Sequence, residues 1–332
     1  MAVVKCAAEL GIADAIEGRK GESPLTLVQL SSALGCDPAH LARIMRFLVH
    51  HRIFREVPAA GGNVGYSQTA LSRRLLLRQD GKSVTDILLM ESSPAMLAPW
   101  HYLSSAARSP PAAFEQAHGI PLFEYTAANP GHSKLFDDAM NCMGRWTLPA
   151  MFQALPELMD GVGTVVDVGG GNGTTLSVLV KRFPWIKGIN FDLPHVVSVA
   201  IESPGVEHVG GDMFEGVPAA DVVFIMLVLH DWNDEDCIRI LKNCRDAIAG
   251  RENGKLIIAD AVVADHGDKE DGNPKELEHV RLMLDMVMMA HTTLGKERST
   301  LKEWRFILDQ AGFTRVVVTP IETVLSVIQA FP

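Results

Sequence analysis

The chain is poor in cysteine: its five, Cys6, Cys36, Cys142, Cys237 and Cys244, are scattered, odd in number and form no CxxC pair. That excludes a disulfide framework and reads as reduced thiols in a cytoplasmic protein. Positive charge is not in excess either, since the formal net charge is −10. A main role on nucleic acid needs a basic face, so that class is set aside. No run of 18 uncharged apolar residues occurs, and no membrane span is expected. There is no HxxxH pair, Cys–His cluster or EF-hand loop. The acidic run Asp234-Glu235-Asp236 suits a helix N-terminus, where the macrodipole favours negative charge. A metal-independent protein is expected.

What is present is a globular composition, 332 residues with 47% hydrophobic and 21% charged, enough for one large domain or two ordinary ones. Met1 to Glu17 mixes Lys5, Glu9, Asp14 and Glu17 with apolar residues and reads as an amphipathic helix, not a signal peptide. Apolar residues in 25–34 and 41–48 follow a helical period. Thr26 suits the cap of the first of these helices and Gly35 its end. Asp37-Pro38 opens the next, with the acid at the cap and proline at the first helical position. Leu41, Ile44, Met45 and Leu48 share one face of it. Strand-like segments 53–57 and 64–67 follow, joined by Gly61-Gly62. Two helices and a hairpin make a winged-helix unit. Arg43, Arg46, His50, Arg52 and Arg55 would suit a helix in a DNA groove, but the acidic chain favours a scaffold or dimerisation role.

The prolines of 109–157 separate helical stretches, with a helix expected over 134–143 carrying Phe136, Met140 and Met143. Met adapts its shape to flat organic ligands, although such stripes are more often core. From Gly163 onward strands are expected at 164–168, 186–191, 207–209, 222–225 and 255–259, with a late pair at 314–319 and 324–329. Helices fall between them, as at 175–182, 234–249 and 277–291. This alternation predicts an α/β doubly wound parallel sheet of Rossmann-like type with helices on both faces, and ligands at the carboxyl ends of its strands. The division expected is a mainly helical winged-helix and lid region over 1–150 and a catalytic domain over 151–332.

The run Val165-Val166-Asp167-Val168-Gly169-Gly170-Gly171-Asn172-Gly173-Thr174-Thr175 is a strand, a tight turn and a helix start. A phosphate loop needs Lys after its last glycine, and here Thr174 follows Gly173. A dinucleotide loop needs G-x-G-x-x-G, and the third position is Thr174 or Leu176, depending on the register. S-adenosylmethionine has no pyrophosphate and needs no third glycine. Asp192 ends the second strand about 20 residues on, where a carboxylate can take both ribose hydroxyls. Asp212-Met213 follows the third strand, where an acid and a soft side chain can hold the adenine. Asp192 could instead cap a helix, and Asp212 could be a turn residue. Together, at successive strand ends, they favour an adenosine site.

Five stretches occur in order: 167–173 (DVGGGNG), 190–196 (NFDLPHV), 210–214 (GGDMF), 230–232 (HDW) and 295–298 (GKER). Across essentially the whole chain this resembles the plant small-molecule O-methyltransferases of the caffeic acid, isoflavone and benzylisoquinoline alkaloid type. The resemblance implies S-adenosylmethionine as cofactor, S-adenosylhomocysteine as product, and a homodimer formed through the N-terminal domain. It also implies a further helix before Val4 that wraps the partner. A phenol with a pKa of about 10 must lose its proton, and histidine is a suitable base. His230, at the end of an apolar strand, is the expected base, and the resemblance adds Asp260 and Glu297 as the acids that hold its ring. Gly169, Asp192, Asp212, Met213, Met226 and Trp232 are the cofactor-binding candidates. Many relatives of this type carry Lys where this chain has Met226. Trp232 would stack on the adenine or pack beneath the loop. Met140, Met143, Trp146 and Met289 are expected in the substrate pocket. Thr300 and Glu303 make a capping box. The expected reaction is methylation of a phenolic hydroxyl on a small aromatic metabolite. The alternatives are N-methylation of a heteroaromatic such as nicotinate, and a ligand-sensing DNA-binding regulator.

Overall fold

The computed structural model describes residues 1–18, 24–78, 83–262, 277–293, 295–296 and 300–332. By its contacts the chain divides into two compact units, Met1–Leu97 with Asn129–Met143, and Ala98–Ala128 with Gly144–Pro332. One helix, Pro130–Ala154, contributes to both and runs through position 150.

In the first unit the expected single helix at the start is two, Ala2–Glu9 and Ile12–Glu17. Gly11 takes φ +68° between them, a left-handed conformation that ends a helix at little cost. Thr26 and Gln29 form a capping box on Leu27–Leu34, which closes at left-handed Gly35. Asp37 accepts hydrogen bonds from the Ala39 and His40 amides at the head of Pro38–His50. That helix buries Leu41, Met45 and Leu48 against Ala7, Ile12, Leu30 and Phe54. Side chains of this size contribute about 1.5–3 kcal/mol each on full burial. Strands β1 (Leu25–Thr26), β2 (Phe54–Pro58) and β3 (Val64–Gln68) form an antiparallel sheet in the order β1-β3-β2. The hairpin turns through Gly61 and Gly62, both at positive φ. Its third strand, two residues long, is too short to show as a period in the sequence.

The helix expected over 134–143 is much longer, Pro130–Ala154. Pro149 reads as a breaker because it lacks an N–H, yet the helix continues through it.

The second unit is built on seven strands: β4 (Thr164–Val168), β5 (Lys187–Asp192), β6 (Val206–Gly210), β7 (Val222–Met226), β8 (Lys255–Asp260), β9 (Arg315–Pro320) and β10 (Ser326–Phe331). Their order is β6-β5-β4-β7-β8-β10-β9. Strands β4 to β8 are parallel neighbours, whereas β10 runs antiparallel to both β8 and β9. The sheet is therefore mixed, not purely parallel as read from the sequence. The reason is the connection: the few residues between β9 and β10 suffice for a hairpin and are far too few for a crossover. Both faces of the central strands are buried, which accounts for unbroken runs such as Val222-Val223-Phe224-Ile225. On one face, Cys237, Ile240 and Leu241 of Asp234–Ala247 and Trp304, Ile307 and Leu308 of Leu301–Gln310 close over Val166, Val223 and Ile258. No helix among the described residues is long and apolar enough to cross a membrane.

Candidate active site

The parallel strands all end on one edge, and this edge collects the singled-out residues. After β4 the chain turns through Gly169 (φ +72°), Gly170 and Gly171 (φ +58°) into the helix Thr174–Arg182. A Cβ at Gly169 would lie 2.7 Å from Val228, while one at Gly171 would meet nothing within 4 Å. The outer side of the loop is thus open backbone. Gly171 is held from both ends by β5. Its amide donates to Asp192 Oδ2 at 2.9 Å, and its carbonyl accepts from Asn190 Nδ2 at 2.9 Å.

Asp192 ends β5, and its Oδ1 also accepts from the Leu193 amide at 2.7 Å. Asp212 follows β6, and its Oδ1 accepts from the Phe214 amide at 2.9 Å. The turn role weighed for Asp212 is present, whereas the cap role weighed for Asp192 is not: Leu193 is the N-cap of the helix Pro194–Val197, and no side chain caps it. Each carboxylate oxygen still has lone-pair capacity beyond one backbone donor. The Met213 carbonyl is anchored by Asn243 Nδ2 at 2.8 Å. Trp232 meets Phe214 edge-on at 4.8 Å, and both pack against the core. Met226 is the last residue of β7 and half-buried. Gly169, Asp192, Asp212, Met213 and Met226 therefore stand at the ends of β4, β5, β6 and β7. Bare glycine backbone beside two fixed acids suits an adenosine with an amino-acid tail.

Beyond Met226 the backbone turns sharply. Leu227 has φ +54°, a conformation L-residues pay for, and its amide donates to the Ala259 carbonyl at 3.1 Å. The next residues form a single tight turn, Leu229–Asp231, that carries His230. Its Nδ1 lies 3.4 Å from Asp260 Oδ1, and its Nε2 lies 3.9 Å from Asp231 Oδ1. Asp260 ends β8, is fully buried, and is oriented by the Ala261 amide donating to the same Oδ1 at 2.9 Å. The structure thus brings together His230 and Asp260 from neighbouring strand ends. Glu297 lies outside the described residues. Gly295 is described: a Cβ there would strike the His230 carbonyl at 2.5 Å, so the chain at Gly295 passes tight against the His230 turn.

The four expected pocket residues divide between the units. Met140 and Met143 lie in the first unit's part of helix Pro130–Ala154, and Trp146 in the second unit's part; all three are half-buried. Met289 belongs to the second unit, on Glu278–His291, where it is exposed with Met283 and Met286. Sequence reasoning missed Asp231, Leu227 and the polar residues beneath the glycine loop. The visible signal for the last was Asn190, a polar residue inside the apolar strand Ile189-Asn190-Phe191.

A Rossmann-like sheet with an open glycine loop and a histidine–carboxylate pair at its strand ends fits an enzyme that uses a nucleoside cofactor. Residues 100–314 match the O-methyltransferase domain, and residues 1–78 match the O-methyltransferase dimerisation domain. The chain is 51% identical to acetylserotonin O-methyltransferase of Arabidopsis thaliana, over 100% of this chain and 88% of that protein. It is 41% identical to (R,S)-reticuline 7-O-methyltransferase of Papaver somniferum, over 99% and 92%. Among solved structures, a calicheamicin-biosynthesis methyltransferase in its S-adenosylhomocysteine-bound form superposes with a TM-score of 0.79 at 28% identity, over 100% of this chain and 93% of that one. The chain belongs to the plant S-adenosylmethionine-dependent O-methyltransferase family. Its winged-helix unit is accordingly a dimerisation domain of that family, the scaffold reading of the two weighed from the sequence.

Proposed function

We propose that this O-methyltransferase methylates a phenolic hydroxyl of a flat aromatic plant metabolite, with His230 as general base. The observation that carries the assignment is the His230–Asp260 pair beside the glycine loop. Asp260 faces Nδ1, which fixes the proton there and leaves Nε2 to take the proton of the phenol. The buried carboxylate, with Asp231 on the other side, then stabilises the imidazolium that forms. Bound S-adenosylmethionine would supply an electrophilic methyl group and leave as S-adenosylhomocysteine. Asp192, Asp212, Met213 and the backbone of Gly169–Gly171 would hold it, with Met226 and Trp232 beside it. Glu297 is the second acid proposed to brace the base. The substrate classes are those of the relatives: flavonoids, benzylisoquinoline alkaloids and acetylserotonin. Trp146 and the exposed Met face ending at Met289, all in the second unit, are proposed to line the substrate site. The same reading has the protein act as a metal-independent cytoplasmic homodimer, joined through its N-terminal unit.

The test is to incubate the protein with methyl-labelled cofactor and a panel of flavonoids, alkaloids, hydroxyindole amides and nicotinate. Label in a methyl ether is the expected result. Label on nicotinate nitrogen alone would overturn the phenol assignment, since a ring nitrogen has no proton for His230 to remove.

A further inference from the structure

Beneath the glycine loop lies a chain of polar side chains with no part in the chemistry above. Asp167 and Asn190 are register partners on the parallel strands β4 and β5. They are 3% and 0% exposed. Asn190 Nδ2 donates to the Gly171 carbonyl and also contacts His208 Nδ1 at 3.1 Å. His208 Nε2 in turn lies 3.1 Å from the Ile201 carbonyl. A carbonyl only accepts, so Nε2 carries the imidazole proton and Nδ1 accepts from Asn190. Turning the amide over would set Asn190 Oδ1 against the Gly171 carbonyl oxygen, which is repulsive. The amide orientation is therefore fixed, and Oδ1 points away from Gly171. There it has no donor, and Asp167 Oδ2 has no donor either. Both oxygens converge on Gly170, where a Cβ would strike Asn190 Oδ1 and come within 2.9 Å of Asp167 Oδ2. Two bare acceptors crowded beside Gly170 in a dry site are costly. One proton between them removes the conflict.

We propose that Asp167 is a neutral carboxylic acid that donates to Asn190 Oδ1, and that Asp167, Asn190 and His208 are positioning residues locking Gly171 for the cofactor. The titratable groups around Asp167 agree. From β5, the Asp192 carboxylate disfavours a second negative charge; from β7, the register partner is the uncharged Phe224; from β6, His208 is committed to Asn190 and Ile201. Burial, reinforced by Asp192, pushes the Asp167 carboxyl up to about 8. The proposal rests on the reading of this loop as the cofactor site.

Asp167→Asn places an uncharged donor where the acid stands and tests the idea directly by titration with S-adenosylhomocysteine. At pH 7 the variant should bind within about 2-fold of the parent. Between pH 7 and 9.5 the parent should weaken relative to the variant, about 10-fold or more, as Asp167 ionises. A loss of 10-fold or more in the variant at pH 7, or a parent-to-variant ratio that does not change with pH, would overturn the proposal. A parent that never binds S-adenosylhomocysteine would instead overturn the cofactor reading. A second measurement needs neither ligand nor substitution: the carboxyl-carbon resonance of Asp167 in labelled parent protein should stay that of an acid at pH 7, and a carboxylate signal there overturns the proposal. Stability follows the same sign. The folded-state pKa is raised, so the acid's favourable contribution is complete below about 4 and is lost as pH rises through about 8. The melting temperature of Asp167→Asn should therefore gain on the parent across that window and level off above it.

Discussion

Asp167 and Asp260 lie two strands apart in one sheet, and both are almost fully buried. Each keeps its Oδ2 without a donor, but their surroundings otherwise differ. Asp260 faces an imidazole at 3.4 Å and the Ala261 amide at 2.9 Å, partners suited to a carboxylate. Asp167 shares the space beside Gly170 with the Asn190 amide oxygen, and the Asp192 charge disfavours its ionisation. The contrast shows that burial alone does not decide what a buried carboxyl does. The neighbours set the charge, and the charge decides the role. On the roles proposed above, one acid steadies a base that turns over, and the other holds a loop still.

Breaking the working half of the contrast should give the largest effect. His230→Ala removes the proton acceptor, so kcat/KM toward a phenol should fall by about 10²–10⁴-fold, while affinity for S-adenosylhomocysteine by calorimetry stays within about 2-fold. Unchanged turnover would remove the base from the account. Asp260→Asn keeps the shape and discards the charge behind Nδ1. A fall of about 10²-fold in kcat with little change in KM is expected by steady-state kinetics, the mark of an interaction that matters most in the transition state. On the quiet half, Gly170→Ala drives a methyl group between Asn190 and Asp167. Cofactor affinity should weaken about 10-fold, equivalent to ~1.4 kcal/mol, and kcat at saturating cofactor should change far less. The smallest effect is expected outside both regions. Thr69 caps the helix Ala70–Leu76 and its hydroxyl also bonds the Ile53 carbonyl at 2.7 Å. Thr69→Ala should cost about 1 kcal/mol in chemical denaturation and leave both catalytic constants unmoved.

Periodicity and punctuation made most of the scaffold legible. Thr26, Gly35, Asp37-Pro38 and the Thr300–Glu303 box mark helix ends where the structure has them. The strand end carrying Asp260 was readable because an apolar run stops there, and those carrying Asp192 and Asp212 because the acids sit beside Pro and Gly turn residues. What escaped depends on tertiary context. Helix Pro130–Ala154 overrides the local signal of Pro149, and Gly11 splits a segment whose apolar period runs straight through it. In the site, the strained Leu227 leaves no mark in composition. The Asp167–Asn190–His208 chain joins three strands whose side chains meet only once the sheet register exists.

The pH dependence of kcat/KM, measured with one phenol on the parent and on Asp260→Asn, tests the His230–Asp260 unit most directly. The parent should show a single-proton acid limb, as the base becomes able to accept the phenol proton. In the variant that limb should move to lower pH, because a carboxylate no longer favours the protonated imidazole. A parent profile with no acid limb, or a limb that stays put in Asp260→Asn, would contradict the account.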